Sequence, residues 1–280
     1  MVRKEHHTIK HLIQLQEMVA ARAQQQAALP KQRLVQLDKN IKAMTDELPI
    51  NLRNHFNRLI QKSVEAIVPI TGSNCSGCGF VLIKTVLNSI HAGNEINRCP
   101  NCARILYSPD VPLTRTAPRR HWGDPVKRGI ERFTAPELML PSLKGNTKED
   151  VLMELCENMC EQGYVEDCHD LNEAALRREA IVSTAVGNAI AFPHVRGVEG
   201  GGLTLSLGIK KKGIDFGGTT KTKVFFYMVI PTAASAFYLK LISSLTRSFS
   251  TAAQRDTLLK AKTQNDLWKA LIKGTKKNIT

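Results

Sequence analysis

The chain lacks the features that would place it in a membrane or on a secretory route. Its longest run of consecutive apolar residues, Val224 to Ile230, is far shorter than the roughly 20 residues that span a bilayer. The first residues, Met1 to His7, are polar, and no apolar signal-peptide core follows them. The sequence therefore predicts no membrane insertion and no signal peptide.

Acidic residues are scarce relative to basic ones. The 280 residues include 39 Lys and Arg against 25 Asp and Glu, a net charge of +14. Most of this excess lies in residues 1–128, which contain 19 basic and 9 acidic residues. Such a balance favours an anionic partner, either nucleic acid or an acidic protein face. A well-hydrated basic surface without a partner explains it equally well.

Seven cysteines are present, and four of them form two Cys-x-x-Cys pairs. Cys75 and Cys78 make the first pair, and Cys99 and Cys102 make the second after a gap of twenty residues. Two such pairs complete the tetrahedral thiolate set that zinc prefers, and no position is left open for water. The sequence predicts a structural Zn²⁺ site and, since thiols persist in reducing compartments, a cytoplasmic location.

The residues around these cysteines resemble a known small domain. Residues 69–108, with Gly93 to Tyr107 around the second pair, are similar to the C4-type zinc ribbon that follows coiled-coil hairpins in bacterial proteins. In that family the preceding hairpin is usually much longer than residues 1–68 of this chain. The resemblance implies a zinc ribbon. Because the hairpin is short, the resemblance does not identify a binding partner for it.

Residues 1–68 carry a helical pattern. Five apolar residues recur at alternating steps of three and four, which is a heptad seam: Leu34, Leu37, Ile41, Met44 and Leu48. Pro30 and Pro49 mark the junctions between two or three short helices. Because two heptads are too short for an isolated coiled coil, the helices pack on one another, on another domain, or on a second copy in a homodimer.

Residues 109–129 are predicted to be a linker, because their four prolines disfavour regular structure. Arg119, Arg120 and His121 stand beside Trp122, a combination that suits nucleic acid by charge and stacking. A solvated tether explains this run as well.

The strongest chemical signal is a histidine preceded by an arginine sixteen residues earlier. Neutral imidazole is a nucleophile near pH 7, and Pro193 fixes the backbone just before His194 at a rigid corner. The planar guanidinium of Arg178 would suit phosphoryl oxygens. From the residues alone, a buried structural histidine beside a surface arginine explains the same spacing.

The run from Arg178-Glu179 through Thr184-x-x-Gly187-Asn to Pro193-His194 resembles the active-site signature of the type 2 enzyme IIA domain of the phosphotransferase system, the fructose, mannitol and nitrogen-regulatory class. The resemblance covers residues 130–280. It implies that His194 accepts a phosphoryl group from an HPr-like donor and that Arg178 and Thr184 bind the phosphoryl oxygens during the transfer. It also implies that a IIB domain accepts the group next, or that a regulatory target responds to it.

One family feature is missing from this chain. Many members carry a second active-site histidine at the start of the helix after the strand here at Val224 to Pro231, but no histidine occurs after His194. Tyr238 and Lys240 lie near that position. The resemblance therefore implies a phosphocarrier or regulator that passes its phosphoryl group onward differently from members with two histidines. The alternative is a zinc-ribbon protein that binds nucleic acid or the transcription apparatus, with a non-catalytic IIA-like sensor domain.

The element pattern of residues 130–280 predicts an α/β class fold, a mixed-sheet α/β/α domain. Strands are expected at 189–192, 203–209 and 224–230, and helices after Thr147 and near 234–248, 251–261 and 264–273. Cys156 and Cys160 lie one turn apart on the first of these helices. With Cys168 and His169 they could form a second metal site, but buried apolar cysteines explain them as well.

Overall fold

A computed structural model describes residues 2–28, 34–63, 65–93, 95–108, 127–198, 202–231 and 237–279. The chain forms two compact units, Met1–Gln26 with Lys31–Pro112 and Ala27–Pro30 with Leu113–Thr280. In the described ranges, no helix is long and apolar enough to cross a membrane. Residues 109–126 of the predicted linker lie outside the described residues, and the boundaries predicted at 68/69 and 129/130 stay predictions.

The first unit begins with helices. They are α1 (Val2–Ala28), α2 (Val35–Asp46) and α3 (Ile50–Ile60). Pro49 directly precedes α3 with φ −52°, which suits the start of a helix and confirms the junction predicted there. The junction predicted at Pro30 lies outside the described residues.

A small three-stranded sheet follows the helices. Its strands are β1 (Ile67–Thr71), β2 (Asn74–Cys75) and β3 (Ile105–Tyr107), and α4 (Lys84–Ala92) lies between β2 and β3. β1 is central, antiparallel to β2 and parallel to β3. The two Cys-x-x-Cys pairs lie beside this sheet, since Cys75 ends β2 and the second pair leads into β3.

The helices and this sheet share one apolar core. Leu12 and Leu15 of α1 and Phe56 of α3 pack with Ile67 of β1 and Ile105 of β3. Burying these side chains together removes apolar surface from water, and this stabilises the packing of α1 and α3 on the sheet. Residues of the predicted heptad seam also pack inside this unit.

Within that seam, Leu37 and Leu48 are buried, and Ile41 and Met44 pack against the core of the same unit. The apolar face that suggested a second copy is thus largely covered inside the chain. The homodimer stays a prediction.

Gln16 ties α1 to the sheet by hydrogen bonds. Its Nε2 donates to the carbonyl oxygen of Ile67 at 2.8 Å. Its Oε1 accepts from the backbone N–H groups of Ala66 and Ile67 at 2.6 and 2.8 Å. The buried amide therefore satisfies the start of β1, where an unpaired backbone group would be costly.

The second unit contains a five-stranded mixed sheet and its helices. Its elements in chain order are β4 (Met139–Leu140), α5 (Lys148–Glu161), α6 (Cys168–Ile181), β5 (Ile190–Ala191), β6 (His194–Val198), β7 (Thr204–Ile214), β8 (Thr222–Pro231), α7 (Phe237–Ser248), α8 (Ala252–Leu259) and α9 (Gln264–Thr275). The strand order is β4-β7-β8, and both β5 and β6 pair with the far side of β8. β7 and β8 are antiparallel, and the other pairs are parallel.

Helices cover both faces of this sheet. Tyr227 of β8 contacts Cys156 of α5, whose Sγ lies 3.3 Å from the Tyr227 hydroxyl oxygen. The next residue toward the N-terminus, Phe226, stacks on Phe249 after α7, with ring centroids 5.7 Å apart. Because successive strand residues point to opposite faces, α5 and α7 lie on opposite sides of β8. The predicted mixed-sheet α/β/α class is therefore confirmed.

The predicted elements of this unit agree closely with the structure. β7 and β8 extend the strands predicted at 203–209 and 224–230, and α5 begins after Thr147 with a reciprocal cap between Thr147 and Asp150. α8 and α9 also start at threonine caps, Thr251 and Thr263. The start of the helix predicted near 234 lies outside the described residues.

Candidate functional sites

His194 stands at a break in the edge of the mixed sheet. β5 and β6 pair with β8 in parallel, and Phe192 and Pro193 interrupt the line between them. Proline has no N–H to donate, but the carbonyl oxygen of Pro193 still accepts from the N–H of Met228 at 2.9 Å. The rigid corner was predicted, whereas β6 itself was missed. His194 is thus the first residue of a new strand.

Two hydrogen bonds fix the imidazole of His194. Its Nδ1 lies 3.0 Å from the carbonyl oxygen of Phe192, and its Nε2 lies 3.3 Å from Nε of Arg178. A carbonyl oxygen accepts only, so we assign the proton to Nδ1. Nε2 then holds the lone pair, which accepts from the Arg178 N–H. The ring nitrogen that carries the lone pair is therefore Nε2.

Arg178 is held at the end of α6. Its Nη1 donates to the carbonyl oxygen of Val182 at 2.9 Å, four residues later, and this bond orients the guanidinium. The residue is 7% exposed, and His194 is 1% exposed. The alternative of a surface arginine is therefore wrong. The predicted pair, Arg178 and His194, is in direct contact.

The imidazole is neutral at pH 7. Burial lowers the pKa of His194 well below its usual 6.5, and the positive charges of Arg178 and Arg196 lower it further. The hydrogen bond to Phe192 opposes this shift without reversing it. A neutral ring keeps the lone pair on Nε2 that covalent chemistry at this atom needs.

Thr184 belongs to a second polar pair beside Arg178. Its hydroxyl donates to Oε2 of Glu179 at 2.7 Å, and its backbone N–H donates to Oε1 at 2.8 Å. Both side chains are buried, and burial raises the pKa of the Glu179 carboxyl while the bonds from Thr184 oppose that shift. The hydroxyl proton of Thr184 is therefore directed to Glu179, and the contact between Thr184 and a phosphoryl group stays a prediction.

A tight turn sets the start of β5. Gly187, Asn188 and Ala189 all have positive φ, at 81°, 52° and 60°. The N–H of Ile190 donates to the carbonyl oxygen of Gly187, and the carbonyl oxygen of Ala189 accepts from two N–H groups at the start of β8. Left-handed backbone at an alanine costs roughly 1–2 kcal/mol, so the surrounding bonds must hold it. The turn fixes the strand that leads to His194.

Tyr238 and Arg196 complete the surroundings of His194. The Tyr238 ring centroid lies 5.7 Å from that of His194, and the guanidinium carbon of Arg196 lies 5.4 Å from the Tyr238 centroid. Tyr238 therefore occupies the region where the family resemblance places a second histidine. Arg196 was missed in the sequence, although its i+2 spacing from His194 on a strand would have revealed it.

The four predicted zinc ligands are brought together in the first unit. The sulfur atoms of Cys75, Cys78, Cys99 and Cys102 all lie within 4.8 Å of one another. Two of the Sγ–Sγ distances are 3.8 Å for Cys75–Cys102 and 3.6 Å for Cys78–Cys99. Zn–S bonds of about 2.3 Å in a tetrahedron require about 3.8 Å between sulfurs. The cluster therefore has the dimensions of a zinc site.

Backbone N–H groups also point at these sulfurs. Gly77 donates to Cys75, and Asn101 and Cys102 donate to Cys99. Burial opposes ionisation of Cys78, but the N–H of Phe80 and other donors together lower its pKa to about 6. Burial raises the pKa of Cys75 and of Cys99 in spite of their donors. The donors by themselves favour the thiolate, the form that binds metal.

Arg104 contacts the backbone near the first cysteine pair. Its Nε donates to the carbonyl oxygen of Glu65 and its Nη1 donates to that of Gly77, each at 3.1 Å. It thus supports the backbone of the first cysteine pair.

The other three cysteines form no comparable set. In the part of the chain that the structure describes, the four ribbon cysteines are the one group of three or more His, Cys, Asp or Glu side chains placed to share an ion. Cys156 contacts Tyr227, and Cys160 lies 3.3 Å from the carbonyl oxygen of Glu166. The interpretation as packed cysteines therefore fits better than a second metal site at Cys156, Cys160, Cys168 and His169.

The fold and the site define a class: an α/β/α domain that presents a neutral, arginine-bound histidine at the edge of a mixed sheet. Residues 132–274, just over half of the chain, match the family described as "Phosphoenolpyruvate-dependent sugar phosphotransferase system, EIIA 2". The chain belongs to this family. Residues 74–106 match the C4-type zinc ribbon domain.

Curated relatives agree with this membership. The fructose-specific EIIA component of the phosphotransferase system of Haloferax volcanii is 28% identical over 137 residues, which is 48% of this chain and 89% of the relative. The nitrogen regulatory protein of Bradyrhizobium diazoefficiens is 31% identical over 121 residues, 42% of this chain and 78% of the relative. The C-terminal domain therefore has a phosphocarrier or regulatory role in the phosphotransferase system.

Among solved structures, nitrogen regulatory protein IIA-Ntr from Neisseria meningitidis is 19% identical, with a TM-score of 0.45. That likeness covers 50% of this chain and 96% of the other.

Proposed function

We propose that the C-terminal domain accepts a phosphoryl group on Nε2 of His194 from an HPr-like phosphodonor. The observation that carries this proposal is the contact between Arg178 Nε and His194 Nε2 at 3.3 Å, with Nδ1 bonded to Phe192. The bond at Nδ1 selects the tautomer whose lone pair is on Nε2. Arg178 now donates to that lone pair and would turn to the phosphoryl oxygens as Nε2 bonds to phosphorus.

The transfer follows from this geometry. The Nε2 lone pair forms a bond to phosphorus as the phosphorus–nitrogen bond of the donor histidine breaks, and the donor imidazole leaves with that electron pair. The Nδ1 proton stays in its bond to the Phe192 carbonyl. Arg178 binds the phosphoryl oxygens as charge develops on them, a role that depends on position and charge rather than on proton transfer.

The donor must also open the site. At 1% exposure, His194 is not accessible to a macromolecule in the arrangement described. Docking of the donor would therefore move side chains around the imidazole. Docking of a IIB domain would expose the phosphorylated imidazole in the same way, whereas in a regulatory protein the group would stay on His194 as a signal. The relatives support both outcomes, since one is a fructose-specific component and another a nitrogen regulatory protein.

We also propose that Cys75, Cys78, Cys99 and Cys102 bind one structural Zn²⁺. The sulfur spacing and the backbone donors support this assignment. Four thiolate ligands leave no position for substrate or water, so the ion would stabilise the fold of the first unit without taking part in transfer. The proposed location of the protein is the cytoplasm, where thiols stay reduced.

The central experiment is labelling from phosphoenolpyruvate with enzyme I and HPr. The wild-type chain should acquire an acid-labile, base-stable phosphoryl group, and His194→Ala should acquire none. Arg178→Lys keeps the charge and loses the planar fork, so transfer should slow by about 30- to 1000-fold, which corresponds to roughly 2–4 kcal/mol. Label that persists on His194→Ala, or a wild-type chain that is never labelled, would contradict the proposal.

A further inference from the structure

A phosphoryl group on His194 would place roughly two negative charges in a buried site. Arg178 offers one positive charge in direct contact with the imidazole. Charge that is buried and unpaired is costly, so a second positive group near Nε2 would strongly favour the phosphorylated state.

Arg196 is placed to provide that second charge. It lies two residues after His194 on β6, and the pairing of β6 with β8 is regular from His194 to Arg196. Side chains at i and i+2 of a strand point to the same face, roughly 6.6 Å apart along it. Arg196 is partly buried, and its charge acts on the imidazole.

Tyr238 holds the guanidinium at this place. The ring of Tyr238 is fully buried and lies close to both side chains, 5.7 Å from the His194 ring and 5.4 Å from the guanidinium carbon of Arg196. A cation over a buried aromatic ring is attracted by the negative face of the ring. Tyr238, near the position of the family's second histidine, thus supports a cation instead of offering an imidazole.

We propose that Arg196 is a second phosphate-binding residue, which neutralises the phosphoryl group on His194 together with Arg178, and that Tyr238 positions its guanidinium. The assignment rests on the proposed function of His194. It predicts a carrier that holds its phosphoryl group longer than one with a single arginine, since two positive charges would offset the charge of the group.

The test compares variants of the full chain with ³²P-phosphoramidate, a small donor that does not depend on protein docking. Arg196→Ala should be labelled about 10- to 100-fold more slowly than wild type, and its phosphohistidine should hydrolyse faster, because one charge-assisted contact is lost. Arg196→Lys should recover part of the rate. Tyr238→Leu should approach Arg196→Ala, while Tyr238→Phe, which keeps the ring, should retain more of the rate.

Arg247→Ala is the matched control. Arg247 is exposed at the other end of α7, nine residues from Tyr238, and its loss removes the same charge outside the site. An arginine whose charge does not reach the imidazole would leave the titration of His194 unchanged when it is replaced by alanine. Loss of a phosphate-binding cation beside the ring should raise the pKa of His194 in Arg196→Ala, as ¹⁵N NMR of the imidazole would show.

The outcomes separate the two proposals. If wild type is labelled and Arg196→Ala matches it in rate and in lifetime, the assignment of Arg196 is wrong and the function of His194 stands. If Arg196→Ala unfolds, Arg196→Lys and Tyr238→Leu carry the comparison, and wild-type rates in both would overturn the assignment. A wild-type chain that neither phosphoramidate nor phospho-HPr labels overturns both proposals.

Discussion

At the scale of single residues, the chemistry depends on which nitrogen of His194 carries the proton. The Phe192 carbonyl keeps the proton on Nδ1, and Arg178 keeps Nε2 as an acceptor. Burial and the two arginines keep the ring neutral. The same features that leave a lone pair on Nε2 therefore also make the folded state sensitive to acid.

The first prediction concerns this acid sensitivity. The pKa of His194 is near 6.5 in the unfolded chain and well below it in the folded one, so below about pH 6.5 the unfolded chain binds a proton that the folded chain does not. The free energy of unfolding should therefore fall as the pH drops, by up to about 1.4 kcal/mol per pH unit from this residue. Urea unfolding of wild type and His194→Gln at pH 7.5, 6.5 and 5.5 measures it.

His194→Gln is the reference because glutamine does not titrate, while all other groups stay the same. The wild-type chain should lose more stability than this variant between pH 6.5 and 5.5. Equal losses in the two chains would show that His194 is not buried as a neutral ring.

The second prediction concerns Thr184. Replacing it by valine removes the hydroxyl that donates to the buried carboxylate of Glu179, which should cost about 1–3 kcal/mol of unfolding free energy. The exposed Thr220→Val should change stability by less than about 0.5 kcal/mol. If Thr184→Val keeps wild-type stability but slows labelling, then the hydroxyl acts on the phosphoryl group, as the family resemblance implied.

At the scale of elements, the site depends on how short pieces of backbone are arranged. β5 and β6 share one edge of β8, and the turn at Gly187 to Ala189 sets where the first of them begins. The zinc ribbon depends on local geometry in the same way, since its strands β2 and β3 are only two and three residues long. Such short strands require an additional constraint, which four metal ligands would supply.

The third prediction follows for the ribbon. The purified chain should contain about one zinc per molecule, and Cys75→Ser combined with Cys99→Ser should contain none. Cys168→Ser is the matched control, because Cys168 lies outside the four-cysteine cluster, and it should keep the metal. Elemental analysis checks both. Zinc that stays with the double variant, or a wild-type chain without zinc, would contradict the ribbon assignment.

The sequence predicted the long strands β7 and β8 and the threonine-capped helices, but it missed the 14-residue helix α6 and the strand β6. β7 and β8 are apolar runs that read as buried strands, and helices α5, α8 and α9 start at threonine caps. β6 was missed because it is short, contains Arg196 and Gly197 in place of apolar residues, and follows a proline. The contact of Arg178 with His194 came from a family resemblance, since their spacing alone also fitted an unrelated pair.

At the scale of the whole molecule, two units with different chemistry share one chain. The described residues divide into a helical and zinc-ribbon unit and a IIA unit. The excess of ten positive charges lies in residues 1–128, which the mechanism at His194 does not use. Net charge of this kind affects which partners associate with a protein and does not follow from its fold. A binding measurement therefore tests the nucleic-acid alternative.

The fourth prediction tests that alternative. If the basic half binds nucleic acid without sequence preference, the affinity of the full chain for mixed-sequence duplex DNA should fall steeply with salt, with a logarithmic slope of about −0.9 per phosphate contact. Arg119→Ala with Arg120→Ala should make the slope shallower, and Arg247→Ala should not. Fluorescence anisotropy from 50 to 200 mM salt measures it. Binding that is independent of salt, or absent at low salt, would reject nucleic acid as a partner.

The most direct test of the account is to determine which nitrogen of His194 carries the phosphoryl group. ¹⁵N and ³¹P NMR of the phosphorylated full chain, with His194→Ala to assign the signals, distinguishes the two isomers. The account predicts phosphorylation at Nε2 with the proton on Nδ1, because Nδ1 is bonded to the carbonyl oxygen of Phe192 and Nε2 faces Arg178. Phosphorylation at Nδ1, or at any residue other than His194, would contradict it.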